Sequence, residues 1–547
     1  MKASFRLLGA LAASLPVLAM AAATPAFAAQ HPNARVELRN NVVPAVVGRT
    51  ATGTVAPKKE ISLTLGLAVR DQAALDAFVA AVGDPKSPLY KHYLTVAQFV
   101  ARFGASASAI DAVTSYLKSE GLKVGTVYAN HLAIGVTGTA TQVEKAFGVT
   151  LHTYRDAATK RDFYANAANP TLPASIASDV VSVAGLSSYG LRQHYSVVAK
   201  KVSPSALARA TSDITPAKAR GAYNLASSIG SGYDGSGETV GLVEFSAYEA
   251  SDPAEYDSYY GLGAKAASVV KVDGGTTDTS GDVEDELDIE VEYALAPGAT
   301  VKVYEAPNSD AGEVALYSAL VSNDVNVISS SWGEYESGES SANMSSDNTD
   351  FEEAAAQGQS VYSASGDSGA DDNGSSLSVD FPASDPYVTG VGGTTLTVTS
   401  ADAWSKETAW SDSGGGYSSY FSTPSFQTSV NSTGERAVPD VAADANPSSG
   451  WYIYTEGSWE EVGGTSAAAP NWAAFTLDYD TAATDLGGSA FGYANSFIYT
   501  VAESSLYDSV FHDITSGNNG EYSAGTGYDE VTGWGSYNGG AFIADEL

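Results

Sequence analysis

The sequence predicts two folded units of different class: an α+β unit, then a larger α/β unit whose parallel sheet is flanked by helices. Three observations carry this. At 547 residues the chain can bury more than one core. Its charge is split: residues 1–200 hold 19 Lys+Arg against 11 Asp+Glu, net +8, while residues 201–547 hold 9 against 53, net −44. The hydrophobic pattern also changes, from a mixture of periods to a regular alternation of apolar strands and helical stretches after Thr215.

In the first unit, residues 29–60 read as an extended lead-in. Ile61-Ser62-Leu63-Thr64-Leu65-Gly66-Leu67 alternates as a strand should. Asp71 caps a helix with Leu75, Phe78 and Val79 on one face. Residues 96–103, with Thr95 as N-cap, and 109–117 are two more helices. Residues 123–128 and 131–136 form a hairpin around Ala129-Asn130; 139–147 is a short helix and 149–154 a strand. Residues 190–215 are polar, with Lys200-Lys201, Ser203-Pro204 and Arg209, and read as a flexible basic linker suited to proteolytic cleavage. Beyond it, strands are predicted at 238–245, 300–304, 325–329 and 360–364, with helices at 284–295, 311–321 and 348–357. Such a sheet is covered on both faces and places functional residues at the carboxyl ends of its strands.

Residues 1–28 read as a secretory signal: Lys2 and Arg6, an apolar run from Leu7 to Ala23, and a small-residue cleavage site at Ala26-Phe27-Ala28. No later stretch is apolar enough to span a bilayer. The chain has no Cys, so disulfides and thiolate metal sites are excluded. The acidic second unit argues against nucleic acid and anionic membrane as partners. A basic front on an acidic back fits an inhibitory segment held partly by charge.

The chemistry lies in the second unit. Gly463-Gly464-Thr465-Ser466-Ala467-Ala468-Ala469-Pro470 presents one serine on a small-residue turn, as the nucleophile segment of a serine peptidase does. A serine hydroxyl needs a base, usually histidine. Only His512 lies beyond residue 200, and it follows Ser466, whereas in subtilisin-like order the histidine precedes the serine. The base is therefore expected to be a carboxylate, which serves in acid. Glu284 and Asp288, four apart on a helix, share a face and titrate jointly. Asp367, in Ser365-Gly366-Asp367-Ser368-Gly369, sits just past a strand, where a neutral carboxyl donates to an oxyanion. Taken singly, the acidic run is more often a solvated face and Asp367 an ordinary turn residue.

Glu284-x-x-x-Asp288, Asp367 in its Ser-Gly-Asp-Ser-Gly loop and Ser466 in Gly-Thr-Ser-Ala-Ala-Ala-Pro together resemble the sedolisin (serine-carboxyl peptidase) family. Ser331-Trp332-Gly333 and Asp380-Phe381-Pro382-Ala383-Ser384 extend the likeness, and the front unit resembles the family's activation pro-domain. The resemblance implies a subtilisin-like catalytic domain over residues 215–547, a ferredoxin-like inhibitory pro-domain over 29–190, and maturation in a linker over 191–214. It implies Ser466 as nucleophile, Glu284 as general base and acid, Asp288 as its orienting partner, and Asp367 in the oxyanion hole. In kumamolisin-type members it extends the network to Glu244 and Trp332. It further implies one structural Ca²⁺ held by Asp513, the Ile514, Gly525 and Gly527 carbonyls, and Asp529. The expected function is a secreted, acid-acting endopeptidase made as a zymogen, with protein or peptide substrates and its own pro-domain as inhibitor. A tripeptidyl exopeptidase, an inactive binding protein on the same scaffold and an ordinary triad using His512 are the alternatives.

Overall fold

The computed structural model describes residues 34–157, 159–203, 214–323 and 325–547. The signal segment over 1–28 and part of the linker, 204–213, lie outside the described residues.

The first unit follows the order strand, helices, strand, strand, helix, strand. Its four-stranded antiparallel sheet runs, across the sheet, Lys123–Val127, Ala133–Thr139, Glu60–Leu67, Val180–Ala184. Numbered along the chain this is 2-3-1-4, the ferredoxin-like arrangement. Local chemistry sets the helices. Asp71 accepts the Ala74 N–H at the start of Gln72–Gly83. Thr95 with Gln98 and Thr139 with Gln142 form reciprocal capping boxes on Val96–Arg102 and Ala140–Phe147. One sheet face buries Leu63, Leu65 and Val136 against Val113, Leu117 and Phe147.

In the second unit a parallel sheet runs Ser268–Lys271, Thr300–Glu305, Thr239–Glu244, Val327–Ser330, Ser360–Ala364, Thr389–Val398. It is extended by Trp404–Ala409, antiparallel, and by Val441–Asp444, parallel, both on Thr389–Val398. The buried helix Thr465–Leu486 crosses one face, packed on Asp282–Leu295. Asp310–Val321 and Ser341–Gln357 cover the other, burying Leu316, Tyr317 and Phe351 against Val243, Ile328 and Val361.

The second face of the first unit's sheet seats on this helix pair. Thr64 Oγ1 donates to the Ala311 carbonyl (2.8 Å), Ser182 and Ser346 hydroxyls meet at 2.7 Å, and Asn130 Nδ2 donates to Asp350 (2.9 Å). The stretch read as flexible linker begins with two short strands. Gln193–His194 pairs with Trp332–Tyr335, and Val197–Val202 pairs with Ser458–Gly463, both antiparallel. The partners are the middle strands of two small three-stranded sheets of the second unit, so this polar tail is ordered by pairing rather than by its own hydrophobic pattern. The ion pairs that the structure shows from the front unit to the acidic unit gather on the tail. Arg192 pairs with Asp310, Glu313 and Glu339; Lys200 with Glu461; Lys201 with Glu456 and Glu460. No described helix is long and apolar enough to cross a membrane.

Candidate active site

Ser466 is the second residue of the Thr465–Leu486 helix, fully buried, and its hydroxyl has no hydrogen-bond partner. The turn before it needs Gly464. That residue has φ +111°, and a Cβ there would collide with the Tyr195 carbonyl oxygen and come within 2.6 Å of Asp367 Oδ2. Pro470, one turn in, lacks the N–H that the Ser466 carbonyl would otherwise accept. The Ser331 hydroxyl lies 3.2 Å from that carbonyl and 2.8 Å from Asp288 Oδ1, joining the helix start to the second carboxyl of the predicted pair.

Glu284 and Asp288 sit on the Asp282–Leu295 helix, where every acid from Glu284 to Glu292 is buried. The acidic run is therefore not a solvated face. Glu284 Oε2 accepts the Ser196 backbone N–H at 2.8 Å and lies 3.5 Å from His194 Nδ1; its Oε1 is buried with no partner. Burial, reinforced by Glu244 and Glu284 nearby, holds the Asp288 carboxyl well above the usual range. Asp367, on the loop after Ser360–Ala364, accepts the N–H and hydroxyl of Thr465 on Oδ1 (2.8 and 2.7 Å) and leaves Oδ2 without a partner. Burial raises its pKa strongly, against the lowering effect of the Thr465 bonds.

Trp332 Nε1 donates to Glu244 Oε2 at 2.7 Å. The Glu244 carboxyl lies beside Asp285, and burial raises both above the usual carboxylate range. The structure thus brings Ser466, Glu284, Asp288, Asp367, Glu244 and Trp332 into one buried cluster. Sequence reasoning missed Asp285, Ser331 and the tail. Asp285 is inside the acidic run, but only the packed helix shows that it faces Glu244. Ser331 was visible beside Trp332, without a role.

His512 stacks flat on Trp404, ring centroids 4.2 Å apart, and burial lowers its pKa. Its neighbours are not those of Ser466. Elsewhere, Asp513 accepts the Gly527 N–H (3.1 Å) and Asp529 accepts the Gly525 N–H (2.9 Å). The 525–529 loop therefore folds onto Asp513 and brings together the two carboxylates of the expected Ca²⁺ set. Hard oxygen donors of this kind suit that ion. A separate group, Glu313, Glu339 and Asp347, converges within 4.8 Å, and the Arg192 guanidinium pairs with the first two.

Residues 48–189 match the family model "Pro-kumamolisin, activation domain", and residues 274–479 match "Subtilase family". The chain is 34% identical to kumamolisin of Bacillus sp. (strain MN-32), covering 88% of this chain and 91% of that protein. It is 31% identical to sedolisin of Pseudomonas sp. (strain 101), over 87% and 85%. It is 29% identical to tripeptidyl-peptidase 1 of Canis lupus familiaris, over 90% and 92%. Among solved structures, Pseudomonas sedolisin (serine-carboxyl proteinase) with two molecules of pseudo-iodotyrostatin superposes with a TM-score of 0.55 at 30% identity. It covers 61% of this chain and 98% of that one.

Proposed function

The chain belongs to the sedolisin family of serine-carboxyl peptidases, carrying that family's activation domain, and on this premise we propose a secreted, acid-acting endopeptidase working through Ser466, Glu284 and Asp288. Ser466 attacks a peptide carbonyl carbon and passes its proton to Glu284. Glu284 then protonates the leaving nitrogen, and water releases the acyl-enzyme by the same route. Asp288 orients Glu284 across the shared helix face. Asp367, kept neutral by burial, donates from Oδ2 to the oxyanion. Trp332, Glu244 and Asp285 fix the far side of the network. The neutral Asp367 donor is the group that acid preserves.

The observation that favours an endopeptidase over a tripeptidyl exopeptidase is the path of the tail. It runs through the cleft with paired backbone on both sides, at 193–194 and at 197–202, and continues unbroken to Arg192 and the pro-unit. Digestion of an N-acetylated decapeptide by the matured protein tests this. Cleavage of an interior bond, abolished in Ser466→Ala, is expected; turnover only of free-amine peptides, three residues at a time, would give the exopeptidase reading instead.

One Ca²⁺ is proposed on Asp513, Asp529 and the carbonyls of Ile514, Gly525 and Gly527. A hard cation there ties the 525–529 loop to Asp513 and stabilises only the folded chain. Secretion rests on the leader over 1–28.

A further inference from the structure

The tail passes the Ser466 site in a fixed register. The Ser196 N–H donates to Glu284, and the Tyr195 carbonyl oxygen lies against Gly464, next to Asp367 Oδ2. Upstream, His194 pairs with Trp332 and Gln193 with Gly333. The strand pairing stops there, and one side chain continues it. Asn308 Oδ1 accepts the Arg192 N–H, and Asn308 Nδ2 donates to the Arg192 carbonyl, both at 2.9 Å. This grip uses only main-chain groups, so it serves any residue laid at that place.

The side chain at that place enters a bowl of acids. Arg192 is 2% exposed, and its guanidinium pairs with Asp310 (2.8 Å), Glu339 (2.6 Å) and Glu313. An oxygen of Asp347 lies within 4.8 Å of oxygens of Glu313 and Glu339. The Asp347 carboxyl is fully buried, and neither of its oxygens has a hydrogen-bond partner. Asp310 and Glu313 belong to the Asp310–Val321 helix, Asp347 to Ser341–Gln357, and Glu339 lies just before the latter. All four acids, and Asn308, are therefore in the second unit and stay when the front unit is removed. A buried carboxylate left unpaired is costly, so the emptied bowl favours a new cation. A latch for the front unit alone would need the side-chain pairs but not a second grip on the main chain.

We propose that in the matured protein this bowl and Asn308 form a substrate subsite, which selects an arginine at the fourth residue before the bond to be cut. The proposal rests on the reading of Ser466 and Glu284 given above. A peptide laid with its reacting carbonyl at the Tyr195 place has its first residue before the bond there, its second at His194, its third at Gln193 and its fourth at Arg192. Asn308 holds the backbone of that fourth residue. Asp310, Glu313 and Glu339 read its side chain. A planar guanidinium fork can meet several carboxylates at once, whereas a lysine ammonium offers a single point of charge.

The test compares end-blocked peptides cut by matured protein purified from its front unit. All carry tyrosine just before the bond to be cut. They differ only at the fourth residue back, which is Arg, citrulline (the same shape without the charge) or Ala. Product masses fix the cut bond, and kcat/KM is read at the least acid pH that still gives turnover, where the bowl is most ionised. The Arg peptide is expected to exceed the other two by about tenfold or more. The second unit, at net −44, attracts any cation, so a peptide with its arginine one place further back is the control. That peptide should fall to the citrulline value. Glu339→Gln should shrink the Arg-to-citrulline ratio by about threefold or more, a readout independent of how much of the variant folds. Asn308→Ala should slow all the peptides alike and keep the ratio. Equal values for Arg and citrulline, an undiminished ratio in Glu339→Gln, or the same gain from the displaced arginine overturns the proposal. If the peptides are cut without preference and Ser466→Ala is silent, only the subsite fails. If Ser466→Ala cuts them as wild type does, or wild type cuts none, the peptidase reading fails and the subsite with it.

Discussion

At the scale of single residues, the proposed site depends on where protons sit. Asp367 and Asp288 are buried carboxyls, raised by desolvation before any other cause. A carboxyl with a raised pKa keeps its proton as pH rises, and the donor is lost only as pH passes that raised value. Activity is therefore expected to be full in acid and to fall towards neutral pH. Asp367→Asn supplies an amide donor that needs no proton. It should keep measurable activity and move the descending limb of the kcat/KM profile to higher pH, whereas Asp367→Ala should lose about 10²–10³-fold. Glu284→Ala should lose about 10³-fold or more, with the fold intact by circular dichroism. A Glu284→Ala protein at wild-type activity would remove the carboxylate base from the mechanism.

At the scale of elements, the Asp282–Leu295 helix and the tail decide the site between them. The helix was legible: the spacing of Glu284 and Asp288 puts both on one face, and the packed structure keeps them there. That its remaining acids are also buried was not legible, because an acidic run reads the same in water as in a core. The capping residues of the pro-unit helices were equally readable, since caps are local. The tail was not. Its sequence is polar and carries no period, and its order comes from backbone pairing and from carboxylates more than a hundred residues away. Replacing Arg192 by Met leaves buried carboxylates without their cation. The precursor should lose up to about 3–5 kcal/mol, and less in acid than at neutral pH, because burial raises these carboxyls and lets them take up protons as pH falls. Urea midpoints of the two precursors at pH 4 and pH 7 measure this, and an equal loss at both would show that the contact works by packing alone.

At the scale of the whole molecule, buried acids set how stability depends on pH. Burial pushes Glu286, Glu334, Asp350 and Glu352 up to about 8, and Asp372, Asp385 and Asp480 up to about 7. Unfolded, each titrates near about 4. The folded chain then holds protons more tightly than the unfolded one, so this contribution is complete below about pH 4 and is lost as pH rises to about 8. The Tm of the Ser466→Ala precursor should be highest in acid and fall across that window; a Tm that rises from pH 4 to 8 would contradict it. Ca²⁺ acts in addition. Adding it to chelator-treated protein should raise Tm, and Asp529→Ala should remove that rise; no response in wild type would count against the ion.

Sequence alone determined the composition of the chemistry and the class of the fold. A serine on a small-residue turn, almost no histidine to serve it, acids at helical spacing and an alternation of strands and helices are local or additive properties, readable without contacts. The convergence of these parts was decided only in three dimensions. Asp285 meets Glu244, Ser331 bridges Asp288 to the carbonyl left free by Pro470, and Tyr195–Ser196 lies between Asp367 and Glu284. Each of these joins residues far apart in the chain through a hydrogen bond or a buried charge. Such pairings follow from how the sheet, two helices and the tail pack, and no period in the sequence encodes that packing.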